Sequence, residues 1–291
     1  MTRADKAARV SLRDLLNDAV ATLQQAGIES ARLDAELMLA RAAGVSRIQV
    51  ITGDVVLGDA VRSAYAVLVD RRAAREPLAY ILGVKEFYSL EFAVTPAVLI
   101  PRPETEIVVT AALDFLATRP AARVLDLGTG SGAIALAIAA NAPQALIVAG
   151  DISDAALAVA RHNAEHLGLG GRVTFRNADC FDVRDGGAAL GRFDLIVSNP
   201  PYIVDQAIVG LQPEIARWEP RLALTGGTDG LDFYRRIAAG LPEYLATDGR
   251  LIVEIGDGQA TAVTRILLDA GFGPIEQLRD PSGIVRVLTI C

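Results

Sequence analysis

The chain predicts an α/β protein: a doubly wound, mainly parallel sheet preceded by a small helical bundle. Three observations carry this. From Ala121 onward, short apolar runs alternate with helical patterns, the mark of parallel strands joined by crossover helices. One strand-to-helix junction holds glycines at alternate positions, Gly128, Gly130 and Gly132, so the backbone there can approach a ligand closely. Before Glu76, apolar residues recur only at helical spacing.

The 291 residues are 52% hydrophobic but only 5% aromatic, so Ala, Val, Leu and Ile must build the core. No signal-type segment opens the chain and no apolar run is long enough to cross a bilayer. Cys180 and Cys291 have no metal-type spacing, and a reducing cytoplasm is the expected setting. The net charge is −7, and residues 1–76 are nearly neutral, so the acidic excess lies in the remainder. That argues against a basic groove for duplex DNA, and neither nucleic acid nor membrane is expected as a direct partner.

In chain order, Ser11 with Asp14 opens a helix carrying Leu12, Leu15, Leu16, Ala19, Val20 and Leu23, closed by Gly27. Ser30 caps a second, with Leu33, Leu37 and Met38 inward and Gly44 past its end. Asp59 caps another, with Val61, Tyr65, Leu68 and Val69. Tyr80–Gly83 and Phe87–Val94 predict strands of a connecting hairpin. The expected boundaries are a helical domain over 1–76, a hairpin over 77–96 and the α/β domain over 97–291. Pro101-Arg102-Pro103-Glu104-Thr105-Glu106 then places acids where a helix begins, which the helix dipole favours; it could also form a rigid lip over a site.

Val124–Leu127 is the first strand of the sheet and Ala133–Ala140 the helix after the glycine turn. Ala145–Ala149 is a strand ending at Asp151, Ala155–Leu167 a helix and Val173–Phe175 a strand followed by Asp179. Phe193–Ser198, Leu251–Ile255 and Val285–Ile290 complete the strands. Strand, glycine turn, helix and an acid roughly 20 residues on together indicate an adenosine-containing cofactor, with Asp151 toward the ribose. Asp126, expected to point at the mouth of that crevice, would repel a pyrophosphate and tolerate a sulfonium with an α-amino group. Asp179 is placed to meet an adenine amino group.

After the strand Phe193–Ser198 comes Asn199-Pro200-Pro201-Tyr202. Two prolines stop the strand and stiffen the backbone. Asn199 offers an amide, Pro200 a carbonyl and Tyr202 an aromatic face, a set that suits a planar nitrogen group held by its hydrogens; a turn that merely ends the strand is the alternative. His162-Asn163-Ala164-Glu165-His166 matches an inverted zinc-protease pattern, but its place in mid-helix, away from the strand ends, reads as a solvated face. Arg217, Trp218 and Glu219 either line a substrate mouth or pack.

Asp126-Leu127-Gly128-Thr129-Gly130-Ser131-Gly132 resembles the first motif of class I S-adenosylmethionine-dependent methyltransferases, whose domain is Rossmann-like. Asn199-Pro200-Pro201-Tyr202 resembles the amino-methylating signature shared by adenine-N6 DNA enzymes and protein-glutamine enzymes. Glu76–Gly83, Glu86–Leu90, Leu99–Glu106 and Leu224–Leu231 with Tyr234 are similar to the peptide chain release factor glutamine methyltransferase family (HemK/PrmC), over essentially the whole chain.

The resemblance implies N5-methylation of the glutamine in the Gly-Gly-Gln motif of release factors, with glutamine methylation of a ribosomal protein or adenine-N6 methylation of DNA as alternatives. It implies that Asp126, Gly128, Thr129, Gly130, Ser131, Gly132, Asp151, Asp179, Cys180 and Asn199 bind S-adenosylmethionine. Asn199, Pro200, Pro201 and Tyr202 would hold the substrate amide, with Asn199, Pro200 and Tyr202 as the catalytic set, and the helical segment would recognise the release factor. No metal is implied. Members often carry Trp where this chain has Cys180; Phe181 is the adjacent aromatic that could replace its stacking.

Overall fold

The computed structural model describes residues 11–183 and 191–290. Cys291 lies outside them. The chain forms two compact units, one of Met1–Gly83 with Pro213–Trp218, the other of Val84–Gln212 with Glu219–Cys291.

The first unit is helical: α1 (Leu12–Gln25), α2 (Ala31–Ala43), α3 (Arg47–Thr52), α4 (Asp59–Ala73), α5 (Leu78–Leu82) and the distant α9 (Pro213–Trp218). Ser11 caps α1, its hydroxyl accepting the Asp14 N–H. Gly44 ends α2 in the left-handed conformation, which its missing Cβ permits. Leu16, Leu23, Met38, Leu39 and Tyr65 form the core, whereas Leu33, expected inward, is 41% exposed. Ser30 precedes α2 without a side-chain cap bond, and Gly58 rather than Asp59 is the cap of α4. Tyr80–Gly83 is not a strand. The Pro77 carbonyl accepts the Tyr80 and Ile81 N–H groups, and left-handed Gly83 closes a single helical turn. A run this short has no periodicity to separate helix from strand.

Within the same unit, Glu214 of α9 receives Arg72 at 2.8 Å and Arg75 at 2.7 Å on both its oxygens. Arg72 also binds Asp34 at 2.8 Å. Burial alone would raise the Glu214 carboxyl, but the Arg75 and Arg72 guanidiniums outweigh it and hold it down at about 2.

The second unit opens with the antiparallel hairpin β1 (Val84–Phe87) and β2 (Leu90–Ala93), whose Phe87 and Phe92 enter the main core. Then follow α6 (Glu106–Thr118), β3 (Arg123–Leu127), α7 (Ala133–Asn141), β4 (Leu146–Asp151), α8 (Asp154–His166), β5 (Val173–Asp179), β6 (Asp182–Val183), β7 (Phe193–Ser198), α10 (Asp232–Tyr244), β8 (Leu245–Glu254), α11 (Ala260–Asp269), β9 (Ile275–Arg279) and β10 (Val285–Ile290). The eight-stranded sheet has the order β6-β5-β4-β3-β7-β8-β10-β9. Strands β5, β4, β3, β7 and β8 are mutually parallel, and β10 runs antiparallel to both its neighbours. The unit is thus the Rossmann-like α/β domain expected, with β6 and β9 as unforeseen edges.

The central parallel strands β3 and β7 are buried on both faces because helices cover both, and Ala133 through Ala139 of α7 are all buried. Chain direction across the sheet reverses between β3 and β7, and the carboxyl ends of strands flanking such a switch point form a crevice. The glycine turn and Asn199 both leave strands at that point.

Candidate active site

The glycine turn is built by backbone demands. Gly128, Gly130 and Gly132 all have positive φ. Gly132 begins α7, and a Cβ there would stand 3.0 Å from Leu136 Cδ1 and 3.2 Å from Ala160 Cβ. At Gly128 and Gly130 a Cβ would meet nothing within 4 Å, so both border open space. The Gly128 and Thr129 N–H groups bind the Gly150 carbonyl, each at 2.9 Å.

Two acids brace the turn. Asp151 accepts the Gly130 N–H on one oxygen and the Ser153 N–H on the other, both at 2.9 Å. Burial raises its carboxyl and these backbone donors oppose the rise. Asp126 is 0% exposed and accepts the Thr129 hydroxyl at 2.6 Å; its Oδ1 has no hydrogen-bond partner among the described residues. Burial pushes Asp126 up to about 7. It sits behind the turn with buried Thr129 and Ser131, not at the crevice mouth. Asp126 is therefore not the group that would oppose a pyrophosphate; the acids that line the space are Asp151 and the Arg236-paired Asp179.

In front of the turn lies a cavity of about 270 Å³. Gly128, Gly130, Asp151, Asp179, Cys180, Asn199 and Pro201 all line it, together with Val98, Leu99, Ile152, Leu222, Phe233 and Arg236. Seven of the residues named from the sequence thus line one cavity, while Asp126, Thr129, Ser131, Gly132, Pro200 and Tyr202 are not among its lining residues. Asp179 takes Arg236 at 2.5 Å, and the Arg236 guanidinium lies 5.3 Å from the Phe233 ring centre. Cys180 adopts φ +59, and burial pushes its thiol up to about 11. Phe181 does not face the cavity. It stacks on Tyr244 at 4.6 Å, against Gly240, where a Cβ would come within 2.3 Å of the ring. The aromatic on the wall is Phe233, which no sequence signal beyond its place after Gly226–Leu231 marks.

Beyond the cavity the Asn199–Tyr202 segment is clamped. The Tyr202 carbonyl accepts Gln259 Nε2 at 3.0 Å, and Ile203 exchanges backbone hydrogen bonds with Leu224 and Gly226. A Cβ on Gly226 would stand 2.8 Å from Tyr202 Cα. Asn199 Nδ2 donates to Thr105 Oγ1 at 3.0 Å. Glu106 accepts the Tyr88 N–H at 2.8 Å, and Arg102 pairs with Glu219 at 2.5 Å. The Pro101–Glu106 stretch is therefore tied down on three sides. Tyr202 is pushed up to about 12 by burial and by the nearby Glu254 carboxylate.

His162 and His166 stack on each other at 6.4 Å on an exposed helix face. No group of three or more potential metal ligands occurs among the described residues. The buried polar member of that motif is Asn163, bonded to Ala93 and to the Ser131 carbonyl. Trp218 belongs to the first unit, where its indole N–H is buried; the cavity takes Pro220, Leu222 and Ala223 from the stretch that follows.

Comparison with known proteins agrees with this geometry. Residues 14–83 match the PrmC N-terminal domain family, and residues 118–262 match a methyltransferase domain family. A release factor glutamine methyltransferase of Geobacter sulfurreducens is 46% identical over 281 residues, covering 96% of this chain and 95% of that protein. One from Cereibacter sphaeroides is 43% identical over 278 residues, covering 95% and 96%. Among solved structures, the hMettl16 catalytic domain in complex with MAT2A 3'UTR hairpin 6 superposes with a TM-score of 0.57 at 17% identity, over 76% of this chain and 81% of that one; a likeness at that identity concerns the fold alone.

Proposed function

Because this chain belongs to the release factor glutamine methyltransferase family, we propose that it methylates the side-chain amide nitrogen of the glutamine in the Gly-Gly-Gln motif of peptide chain release factors, with S-adenosylmethionine as donor. The observation that carries this is that Asn199 lines the same cavity as Gly128 and Gly130 of the glycine turn. The lining suits the donor: open space over Gly128 and Gly130 admits a methionine moiety close to the backbone, Asp151 would accept from the ribose hydroxyls, and Leu222 and Phe233 offer apolar surface to an adenine. Bound there, S-adenosylmethionine supplies an electrophilic methyl whose leaving group is a neutral thioether.

The residues of the chain then solve one problem. An amide nitrogen is a weak nucleophile because its lone pair is delocalised into the carbonyl. The Asn199 side-chain oxygen and the Pro200 carbonyl each accept one substrate N–H. That fixes the nitrogen in line for displacement and stabilises the positive charge that grows on it. The two prolines hold both acceptors on stiff backbone, so little reorganisation is needed. Tyr202, far above its ordinary pKa, stays neutral and packs beside the amide. The extra proton leaves after methyl transfer, since acceptors rather than bases make up the motif. Asp126, Thr129, Ser131 and Gly132 act by holding the turn, and Asp179 and Cys180 border the adenine. The helical unit recognises the release factor, and the reaction takes place in the cytoplasm. No helix among the described residues is long and apolar enough to cross a membrane.

Mass spectrometry of a release factor incubated with the protein and S-adenosylmethionine tests the proposal. One added methyl on the Gly-Gly-Gln glutamine is expected, and its rate of formation falls to a small residual value in Asn199→Ala. Full transfer by that variant, or robust methylation of DNA instead, would overturn it.

A further inference from the structure

A side-chain amide can be placed either way round, and only one way makes Asn199 an acceptor toward substrate. Its orientation is set by what lies behind it. Asn199 Nδ2 donates to Thr105 Oγ1 at 3.0 Å. Thr105 is 4% exposed, so no solvent competes for its hydroxyl. A hydroxyl accepts freely but has a single proton to donate. If that proton pointed at Asn199, the amide would turn its oxygen to Thr105 and present NH₂ to the cavity.

The Thr105 proton has another acceptor. Glu254, the last residue of β8, is 2% exposed, and the Thr105 and Tyr202 side chains lie close enough to lower its carboxyl against the effect of burial. Glu254 Oε2 has no hydrogen-bond partner among the described residues, so the group holds spare acceptor capacity in a dry place. Burial pushes Glu254 up to about 7, and in its ionised form a buried carboxylate is the strongest acceptor Thr105 can find.

We propose that Glu254 and Thr105 are positioning residues that set which end of the Asn199 amide meets the substrate: Glu254 takes the Thr105 proton, and Thr105 thereby becomes the acceptor for Asn199 Nδ2, leaving Oδ1 for the substrate N–H. This rests on the glutamine-methylation reading and names the part of the chain that makes its acceptor competent. The Pro101–Glu106 stretch, besides lying near the site, supplies the group that orients its central side chain. Neither residue touches substrate or donor in this scheme, so binding of both is spared and the chemical step is not.

Steady-state methylation of a release factor distinguishes the outcomes. Thr105→Val keeps the shape and removes the acceptor; kcat is expected to fall about tenfold, the worth of one such hydrogen bond, with KM and the S-adenosylmethionine Kd within about twofold. Thr105→Ser restores the hydroxyl and most of kcat. Glu254→Met reproduces the Thr105→Val loss without adding to it in the double variant. In an Asn199→Ala background Thr105→Val costs nothing more, which a general structural defect would not show. Unchanged kcat in a folded Thr105→Val, failure of Thr105→Ser to rescue, or additive losses with Asn199→Ala would overturn the positioning role while leaving the methyltransferase reading intact. Wild-type protein that transfers no methyl to glutamine would instead overturn that reading, and this inference with it.

Discussion

Replacing Asn163 with alanine should be among the most damaging single changes in the α/β unit, although the residue lies on a helix and takes no part in chemistry. Asn163 is 0% exposed. Its Oδ1 accepts the Ala93 N–H at 2.8 Å, and its Nδ2 donates to the Ala93 carbonyl at 3.1 Å and to the Ser131 carbonyl at 2.9 Å. One side chain thus joins α8 to the hairpin strand β2 and to the glycine turn. Three bonds at roughly 0.5–1.5 kcal/mol each, plus the penalty for buried groups left unpaired, give a loss of about 3–5 kcal/mol. Against the usual margin of about 5–15 kcal/mol that is severe. Urea unfolding followed by circular dichroism should show it as a midpoint lowered by about 1 M or more. Hydrogen exchange should accelerate at Ala93 and around the glycine turn before it does elsewhere in the sheet. Asn163→Asp separates the terms: it keeps the acceptor for Ala93 N–H but sets a carboxylate against two carbonyls, so it should be worse than alanine at pH 8 and recover on acidification. A loss below about 1 kcal/mol in Asn163→Ala, with unchanged exchange at Ala93, would refute the bonding argument.

Glu214, held at about 2, contributes stability that is fully present above about pH 4.5 and is lost as pH falls from there toward 2. Glu214→Gln should therefore cost up to about 3 kcal/mol at pH 7 and flatten the acid limb of a pH series of urea midpoints; an unchanged limb would contradict this. Asp126 and Glu254 act with the opposite sign, because burial pushes both up to about 7, so stability should fall as pH rises from about 4 to 8. Asp126→Asn retains an acceptor for the Thr129 hydroxyl and should reduce that fall, which the same pH series would show; an identical slope would mean that Asp126 titrates normally. Phe233→Ala should weaken S-adenosylmethionine binding about tenfold by calorimetry if its ring, which lines the cavity, supports the adenine. Unchanged affinity would remove Phe233 from that role.

The sequence by itself determined those features that rest on local chemistry. The glycine turn was recognisable because its left-handed residues favour glycine, and the β3, β4 and β7 strands because a covered parallel strand is largely apolar on both faces. The Asn199–Tyr202 motif was recognisable because paired prolines must end a strand. The bends that misled were those where a few residues fit two patterns, as in Tyr80–Gly83, where Pro77 and Gly83 close a helical turn that composition alone reads as a strand. What only the tertiary structure decided is which side chains share a cavity. Asp126 and Asp151 are both acids at the ends of neighbouring strands, yet one is sealed behind the turn and the other faces the space. Phe181 is adjacent to Cys180 but is drawn away by Tyr244 and the open side of Gly240, while Phe233 arrives from a helix more than fifty residues later. Thr105 reaches Asn199 across a sequence separation that no local pattern encodes. Such contacts are set by which strand ends meet at the sheet's switch point, and that depends on the order in which the strands pair.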